Sequence, residues 1–285
     1  MPEGDTIFRT ARTLGRALGS RPITGFRSTF PLLTRAHQDA PLTGQCVQRV
    51  ESRGKWLLID FSGGATLATH MLMSGSWHIY RPGQPWQKPR SHMRILLETA
   101  EYLAVAFRVP VACMHTVQSL VRDQRIPPPS LNVLGPCFDA EAAVERILSY
   151  RDEEIGDVLL HQEVLAGVGN VFKSEICFLT GINPFLRVRD LSRELAGDAV
   201  ATARQLLAAN VLEDSGDVIV TFRGLHRRTT HASDPAASLW VYGRHGEPCR
   251  KCGEPVRRRI QGPDARVTFW CPCCQPMPGN TCIDG

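Results

Sequence analysis

The sequence predicts an α+β chain, and three observations carry that prediction. Between about residues 45 and 110, short apolar runs alternate with Gly, Pro and Ser; after Pro127, Pro128 and Pro129, apolar residues return at helical spacing; and the C-terminal end bears cysteines in pairs. At 285 residues the length suggests two domains, with enough chain for a core that needs no disulfide staples.

A helix is predicted over 5–18, where Ile7, Phe8, Ala11, Leu14 and Leu18 recur near every 3.6 residues and Asp5 supplies an N-cap. Strands follow over 56–61, 65–71, 76–80, 93–98 and 102–107, forming a sheet or sandwich of hairpins. A loop with prolines and a glycine spans 81–90, and the stiff 127–129 tract marks a domain boundary. Helices are predicted next over 139–151 with Asp139 as cap, over 153–162, over 170–179 closed by Gly181, and over 190–212. Residues 214–236, polar and aperiodic, are expected to form a surface loop, and a short cysteine-bearing module begins at Trp240. The expected domains are 1–126, 130–238 and 239–278.

No apolar run approaches the ~18 residues that would span a bilayer, so a membrane protein is excluded by this reading. Glu3 and Asp5 stand where a signal peptide would carry basic and then apolar residues, which points to a cytosolic protein. In that compartment ten cysteines suggest metal binding or plain burial instead of disulfides. The net charge of +5 permits a nucleic-acid partner without establishing one. Only Lys55, Lys88, Lys173 and Lys251 among the 33 basic residues are lysines. A lysine that persists against such an arginine bias hints at a need for an amine.

Cys249 and Cys252, then 18 residues, then Cys271 and Cys274 have the spacing of two thiolate knuckles around one tetrahedral ion. Four protein ligands would close the site, so a zinc ion there folds the module and does no chemistry. Cys271 with Cys273 is the alternative second pair. Cys46, Cys113, Cys137, Cys177 and Cys282 are expected to be buried or incidental thiols. Between the knuckles, 257–260 and 266–270 resemble the arms of a hairpin whose arginines reach phosphates, or equally an ordinary solvated basic face. Upstream, Leu165-Ala166-Gly167-Val168-Gly169-Asn170 lies between two helices. Its glycines free the backbone for close approach, and Asn170 would cap a helix whose N-terminus suits a phosphate; a tight helix–helix turn explains the same spacing.

Four stretches together resemble the formamidopyrimidine-DNA glycosylase and endonuclease VIII family. They are Pro2-Glu3-Gly4 behind Met1, Glu51-Ser52-Arg53-Gly54-Lys55 ahead of a strand, the 165–170 hinge, and Gly246-Glu247-Pro248-Cys249 through Arg266 to Cys271-Pro272-Cys273-Cys274-Gln275. The similarity is collinear from residue 2 to about 275, and Phe30-Pro31 with Pro2-Glu3-Gly4 resembles the endonuclease VIII branch. The resemblance implies an N-terminal β-sandwich with flanking helices, a helical domain with a helix-two-turn-helix, and a zinc β-hairpin. It also implies a bifunctional DNA glycosylase and apurinic-site lyase of base excision repair. Such an enzyme removes oxidised bases, pyrimidines in the endonuclease VIII branch, through a Schiff base on Pro2 and cuts the strand by β,δ-elimination. One structural Zn2+, no organic cofactor, damaged DNA as partner, no membrane and a monomeric state complete the expectation.

The chemistry asks for an amine that is neutral near pH 7. An α-amine is ~10% neutral there and a lysine well below ~0.1%, so Pro2, once Met1 is removed, is the better-prepared nucleophile. The resemblance assigns Glu3 to proton transfer at the sugar and gives phosphate contacts to Lys55, Arg266, Asn170, Gly167 and Gly169. It assigns Leu72, Met73 and Ser74 to the loop that fills the void left by a flipped nucleotide; for Met73 ordinary core packing is the alternative. One departure stands out. Where family members usually carry a second glutamate three residues after Glu3, this chain has Thr6, preceded by Asp5. A non-catalytic zinc-hairpin protein that senses distorted DNA is the competing reading, and a zinc-stapled protein-interaction module a third.

Overall fold

In the computed structural model, which describes residues 2–211 and 238–278, helix α1 (Gly4–Leu18) buries Ile7, Ala11, Leu14 and Leu18 along one side. Its N-cap is Glu3, not the expected Asp5. Asp5 instead lies inside the first turn, fully buried. The chain continues through β1 (Gly25–Ser28), α2 (Pro31–Asp39), β2 (Val47–Arg53), β3 (Trp56–Phe61), β4 (Ala65–His70), β5 (Ser76–Tyr80), β6 (Met93–Glu98), β7 (Leu103–Phe107), β8 (Val111–Thr116) and α3 (Val117–Arg122). Two antiparallel four-stranded sheets result, ordered β2-β3-β4-β8 and β1-β6-β7-β5. Leu57, Ile59, Phe61 and Leu67 of one sheet share a core with Ile95, Leu97, Ala104 and Ala106 of the other and with α1. Because side chains alternate across a strand, Trp56 and Leu58 point to the opposite face, where Leu120 and Ile126 cover them. That double burial explains the nearly unbroken apolar run of β3.

The compact unit that holds this sandwich is Met1–Pro128, and a second unit is Pro129–Gly285. Within the second, α4 (Ala140–Ser149) begins as expected, with the Asp139 carboxylate accepting the Ala142 N–H at 3.0 Å. The helix expected over 153–162 is only the single turn α5 (Ile155–Val158), and the chain after it turns repeatedly as far as Gly169. Helix α6 (Asn170–Leu179) is capped by Gly169 and not by Asn170, and Gly181 follows it at φ +71°. Helix α7 (Arg193–Ala209) starts from Ser192, whose hydroxyl accepts the Leu195 N–H. These helices surround a core of Ile147, Val158, Phe172, Ile176, Val200 and Leu207. Strands β9 (Arg257–Gln261) and β10 (Arg266–Trp270) form the hairpin, pairing Arg266 with Gln261 and Trp270 with Arg257. The polar segment 214–236 and Cys282 lie outside the described residues.

Candidate functional site

In the first unit the site is built on the start of α1 and the ends of β2, β3 and β4. Pro2 is half-buried ahead of the helix, and Glu3 is 2% exposed. Beside them the Asp5 carboxyl is pushed above its ordinary range by burial, which outweighs the Thr6 backbone N–H, the Arg9 charge (3.3 Å) and the Thr6 hydroxyl (3.4 Å). Lys55 occupies the β2–β3 turn and is only 8% exposed, an unusual depth for a turn lysine.

His70, at the end of β4, is a residue the sequence did not single out. Its ring packs edge-on against Trp56, and its Nδ1 accepts the Leu72 N–H at 3.2 Å. Burial, helped by the nearby Lys55 charge, holds its pKa down at about 4, so the imidazole stays neutral and keeps that lone pair for the loop. The loop itself is strained, since Leu72 adopts φ +44°. Gly75 closes it: a Cβ there would stand 2.7 Å from the Met71 carbonyl oxygen. Leu72 and Met73 project outward, 42% and 72% exposed, which removes the core-packing reading of Met73. Ser74 donates to the Arg108 carbonyl at 3.3 Å, and Arg108 is itself left-handed at φ +48°. A cavity of about 750 Å³ opens alongside, lined by Ser74, Ser91, His92, Arg94 and Arg108. Sequence periodicity carries no trace of that cationic wall, because Arg94 stands near the start of β6 and Arg108 follows the end of β7.

In the second unit Gly167 adopts φ +113° and its N–H donates to Gln162 Oε1, while Gln162 Nε2 donates to the Leu160 and Val168 carbonyls. Gln162 thus braces the glycine hinge, a role hidden by the expected helix. Asn170 does not cap; its Nδ2 donates to the Val267 carbonyl on β10 at 2.8 Å. One turn on, the fully buried Lys173 donates to Thr268 Oγ1 (2.6 Å), which donates to Gln261 Oε1 (2.6 Å), and Gln261 Nε2 reaches Glu154 and the Pro184 carbonyl. This chain of bonds, with Ser174 accepting the Phe269 N–H, fastens the hairpin to α6. Arg266 projects from the start of β10 with its side chain 38% exposed, 3.6 Å from Asp264.

Below the hairpin the Sγ atoms of Cys249, Cys252, Cys271 and Cys274 lie within 4.8 Å of one another; Cys273 is outside the group. Cys249 is 3.8 Å from Cys274 and Cys252 is 3.4 Å from Cys271, close to the ~3.8 Å edge of a zinc–thiolate tetrahedron with ~2.3 Å bonds. Lys251 and Cys274 each donate a backbone N–H to a knuckle sulfur at 3.4 Å. Burial lifts the Cys271 thiol to about 11 and Cys274 further, whereas the Glu254 N–H and the neighbouring thiols outweigh burial at Cys252 and bring it to about 7. The cluster accepts one negative charge readily and resists the next, a conflict that a divalent cation resolves. Two side chains anchor the module. Buried Gln275 bonds the Cys271 N–H and the Ile182 carbonyl, and the buried Glu175 carboxylate accepts the N–H groups of Trp240, Val241 and Tyr242.

Residues 1–110 match the formamidopyrimidine-DNA glycosylase N-terminal domain, and residues 132–221 match the H2TH domain of the same glycosylase. The chain is also 39% identical to a Streptomyces coelicolor protein named probable endonuclease 8 2, over 98% of this chain and 97% of the relative. The chain belongs to the formamidopyrimidine-DNA glycosylase and endonuclease VIII family. A second family relative, the Mycolicibacterium smegmatis protein named DNA-(apurinic or apyrimidinic site) lyase Nei2, is 34% identical over 96% of this chain and 99% of its own. The family fold recurs in the crystal structure of the Lactococcus lactis formamidopyrimidine-DNA glycosylase bound to DNA containing an apurinic site. That structure superposes with a TM-score of 0.78 at 22% identity, covering 96% of this chain and all of the other. Against the family pattern, Thr6 is half-buried on α1 with its hydroxyl turned to Asp5, so the acid of this first turn sits one position earlier.

Proposed function

We propose that the protein is a DNA glycosylase with apurinic-site lyase activity, acting in base excision repair on oxidised bases, with oxidised pyrimidines preferred. The observation that carries this reading is Pro2, placed directly ahead of α1 beside the buried Glu3, in a chain similar along its whole length to proteins named endonuclease 8 and apurinic-site lyase. After removal of Met1, the Pro2 secondary amine attacks the anomeric carbon, the base departs, and the sugar ring opens to an iminium. The iminium acidifies the adjacent sugar proton. Its loss expels the 3′ phosphate, and a second elimination releases the 5′ phosphate. Glu3 moves protons at the sugar during these steps.

Lys55 and Arg266 hold backbone phosphates, as do Asn170 and the Gly167–Gly169 backbone; such contacts position the duplex without reading it. Leu72, Met73 and Ser74 fill the gap left by the flipped nucleotide, which Met73 suits as an exposed apolar tip. The four cysteines Cys249, Cys252, Cys271 and Cys274 hold a structural Zn2+ that rigidifies the hairpin and takes no part in the reaction. The described residues include no helix long and apolar enough to cross a membrane; the proposed setting is a monomer working on DNA in the bacterial cytosol or nucleoid.

Borohydride trapping tests the proposal directly. Incubation with duplexes carrying oxidised pyrimidines should yield a covalent protein–DNA adduct that maps to the N-terminal peptide, and Pro2→Gly should bind the lesion while losing trapping and strand cleavage. A protein that binds damaged duplex without any trapped adduct would be a damage sensor, and an adduct mapped to Lys55 would transfer the nucleophile to that lysine.

A further inference from the structure

A second group of metal-ligating side chains lies on the sandwich unit, outside the residues placed above. Cys113 and His115 are two apart on β8 and therefore share a face, and Asp123 follows α3 immediately. One ligand atom from each lies within 4.8 Å of the other two. His115 is 8% exposed and the Asp123 side chain 11%.

The hydrogen bonds around His115 accommodate a neutral ring that presents a bare nitrogen. Ser119 Oγ accepts the Thr116 N–H at 2.9 Å and donates to the Thr116 carbonyl at 3.2 Å, so toward His115 Nδ1, also 3.2 Å away, it offers a lone pair. The proton of a neutral ring then sits on Nδ1, and Nε2 carries a bare lone pair. Nε2 is fully buried, has no hydrogen-bond partner, and faces Asp123 Oδ2 at 3.5 Å. A bare imidazole nitrogen and a carboxylate oxygen confront one another beside a thiol. A proton on Nε2 or a metal cation between the two donors relieves that confrontation, and a hydroxyl on the other ring nitrogen that fixes the tautomer is how metal-bound histidines are oriented.

We propose that Cys113, His115 and Asp123 form a metal site for a zinc-class divalent ion, distinct from the four-cysteine cluster. Thiolate, imidazole and carboxylate together select a borderline ion over Mg2+ or Ca2+, and three protein ligands leave a fourth position for water. Tetrahedral zinc would draw the ligand atoms to within about 4 Å of one another, a contraction of about 1 Å that side-chain rotation at Cys113 and Asp123 supplies. The ion would clamp the segment leading into Pro127–Pro129 onto the last strand of the sandwich.

Arg125 is the competitor. Its Nε and Nη2 donate to Asp123 at 2.9 and 2.6 Å, and Nη2 stands 3.8 Å from Cys113 Sγ. Because its side chain is 62% exposed, it can leave toward solvent when a metal takes over the carboxylate oxygen. The proposal and a closed Arg125–Asp123–His115 ion-pair network therefore predict opposite effects of removing this guanidinium.

The test uses the full chain carrying its first metal equivalent, dialysed against micromolar free Zn2+ and analysed for bound metal. Two equivalents are expected for the wild type and one for C113S and for H115Q. Co2+ added to protein that carries only its first zinc equivalent should give a thiolate-to-cobalt charge-transfer band that C113S lacks. R125Q should bind the second ion about tenfold more tightly, and the second ion should raise the melting temperature of the wild type but not of C113S. One equivalent in the wild type, a second equivalent retained in both C113S and H115Q, or weaker binding by R125Q would overturn the proposal. C113S is nearly isosteric and its melting temperature without added metal should equal that of the wild type, so the comparison stands even where H115Q folds poorly.

Discussion

His70 couples a protonation state to the shape of a loop. Its folded pKa of about 4 lies below the ordinary 6.5, so between those values the unfolded chain binds more protons than the folded one. Stability is therefore lost as pH falls from 6.5 toward 4. His70→Gln should flatten that loss, which denaturant midpoints at pH 7 and pH 5 will measure; parallel slopes for the two proteins would contradict the assignment. Met73→Ala should leave stability within about 0.5 kcal/mol, because the side chain is already exposed, yet, if Met73 is the proposed wedge, weaken lesion binding by about 1–2 kcal/mol. If Arg266 holds a phosphate as proposed, Arg266→Ala removes a planar, charge-assisted contact at a cost of about 1.5–3 kcal/mol, roughly ten- to a hundredfold in affinity. The loss should be equal for different base lesions and for abasic DNA, should leave zinc content unchanged, and should reduce the salt dependence of binding. Affinities across a salt series decide it, and a lesion-selective loss would move Arg266 to the base pocket.

At the scale of elements, the hairpin depends on a line of polar groups buried against α6. Thr268→Val keeps the shape but strips Lys173 Nζ and Gln261 Oε1 of a shared partner, which should cost about 1–3 kcal/mol in chemical denaturation. The legibility of these elements in the sequence follows their environments. Strands β3, β5 and β6 were readable to the residue because apolar runs end at sharp turn signals. β1 and β8 were not: the first is four residues long, and the second shows a run of half-buried positions with no alternation. Helix α2 hides for a related reason, burying only Leu33 while Leu32 lies open to solvent. The stretch 153–162 misled because apolar spacing continued past Val158, where the chain had already turned to let Gln162 brace the glycines. At the candidate site, motif residues such as Pro2, Lys55 and Arg266 were legible as spacing and resemblance. His70, Gln162 and the Arg94–Arg108 wall were not, since each acts through a contact that only folding creates.

For the whole molecule, the two separate cores predict separate responses to metal removal. In protein that carries only its first metal equivalent, with the site at Cys113, His115 and Asp123 left empty, chelation should lower the unfolding transition of the Pro129–Gly285 unit, which carries the four-cysteine cluster, by far more than that of Met1–Pro128. Calorimetry with and without chelator should show one transition moving well ahead of the other; equal shifts in both would mean that the cysteines stabilise the chain as a single cooperative block. The triple backbone grip of Glu175 on Trp240, Val241 and Tyr242 sets what happens next. It holds the entry to the cysteine module without help from any ion, so a stripped protein keeps the near end of the module moored to α6. Recapture of metal is then the closing of a short tethered loop, with little chain entropy to lose, in place of a search by a free tail. Glu175→Gln should leave the metal-loaded protein competent but slow its reloading, and the speed of recovery after metal starvation is the property that this one carboxylate governs.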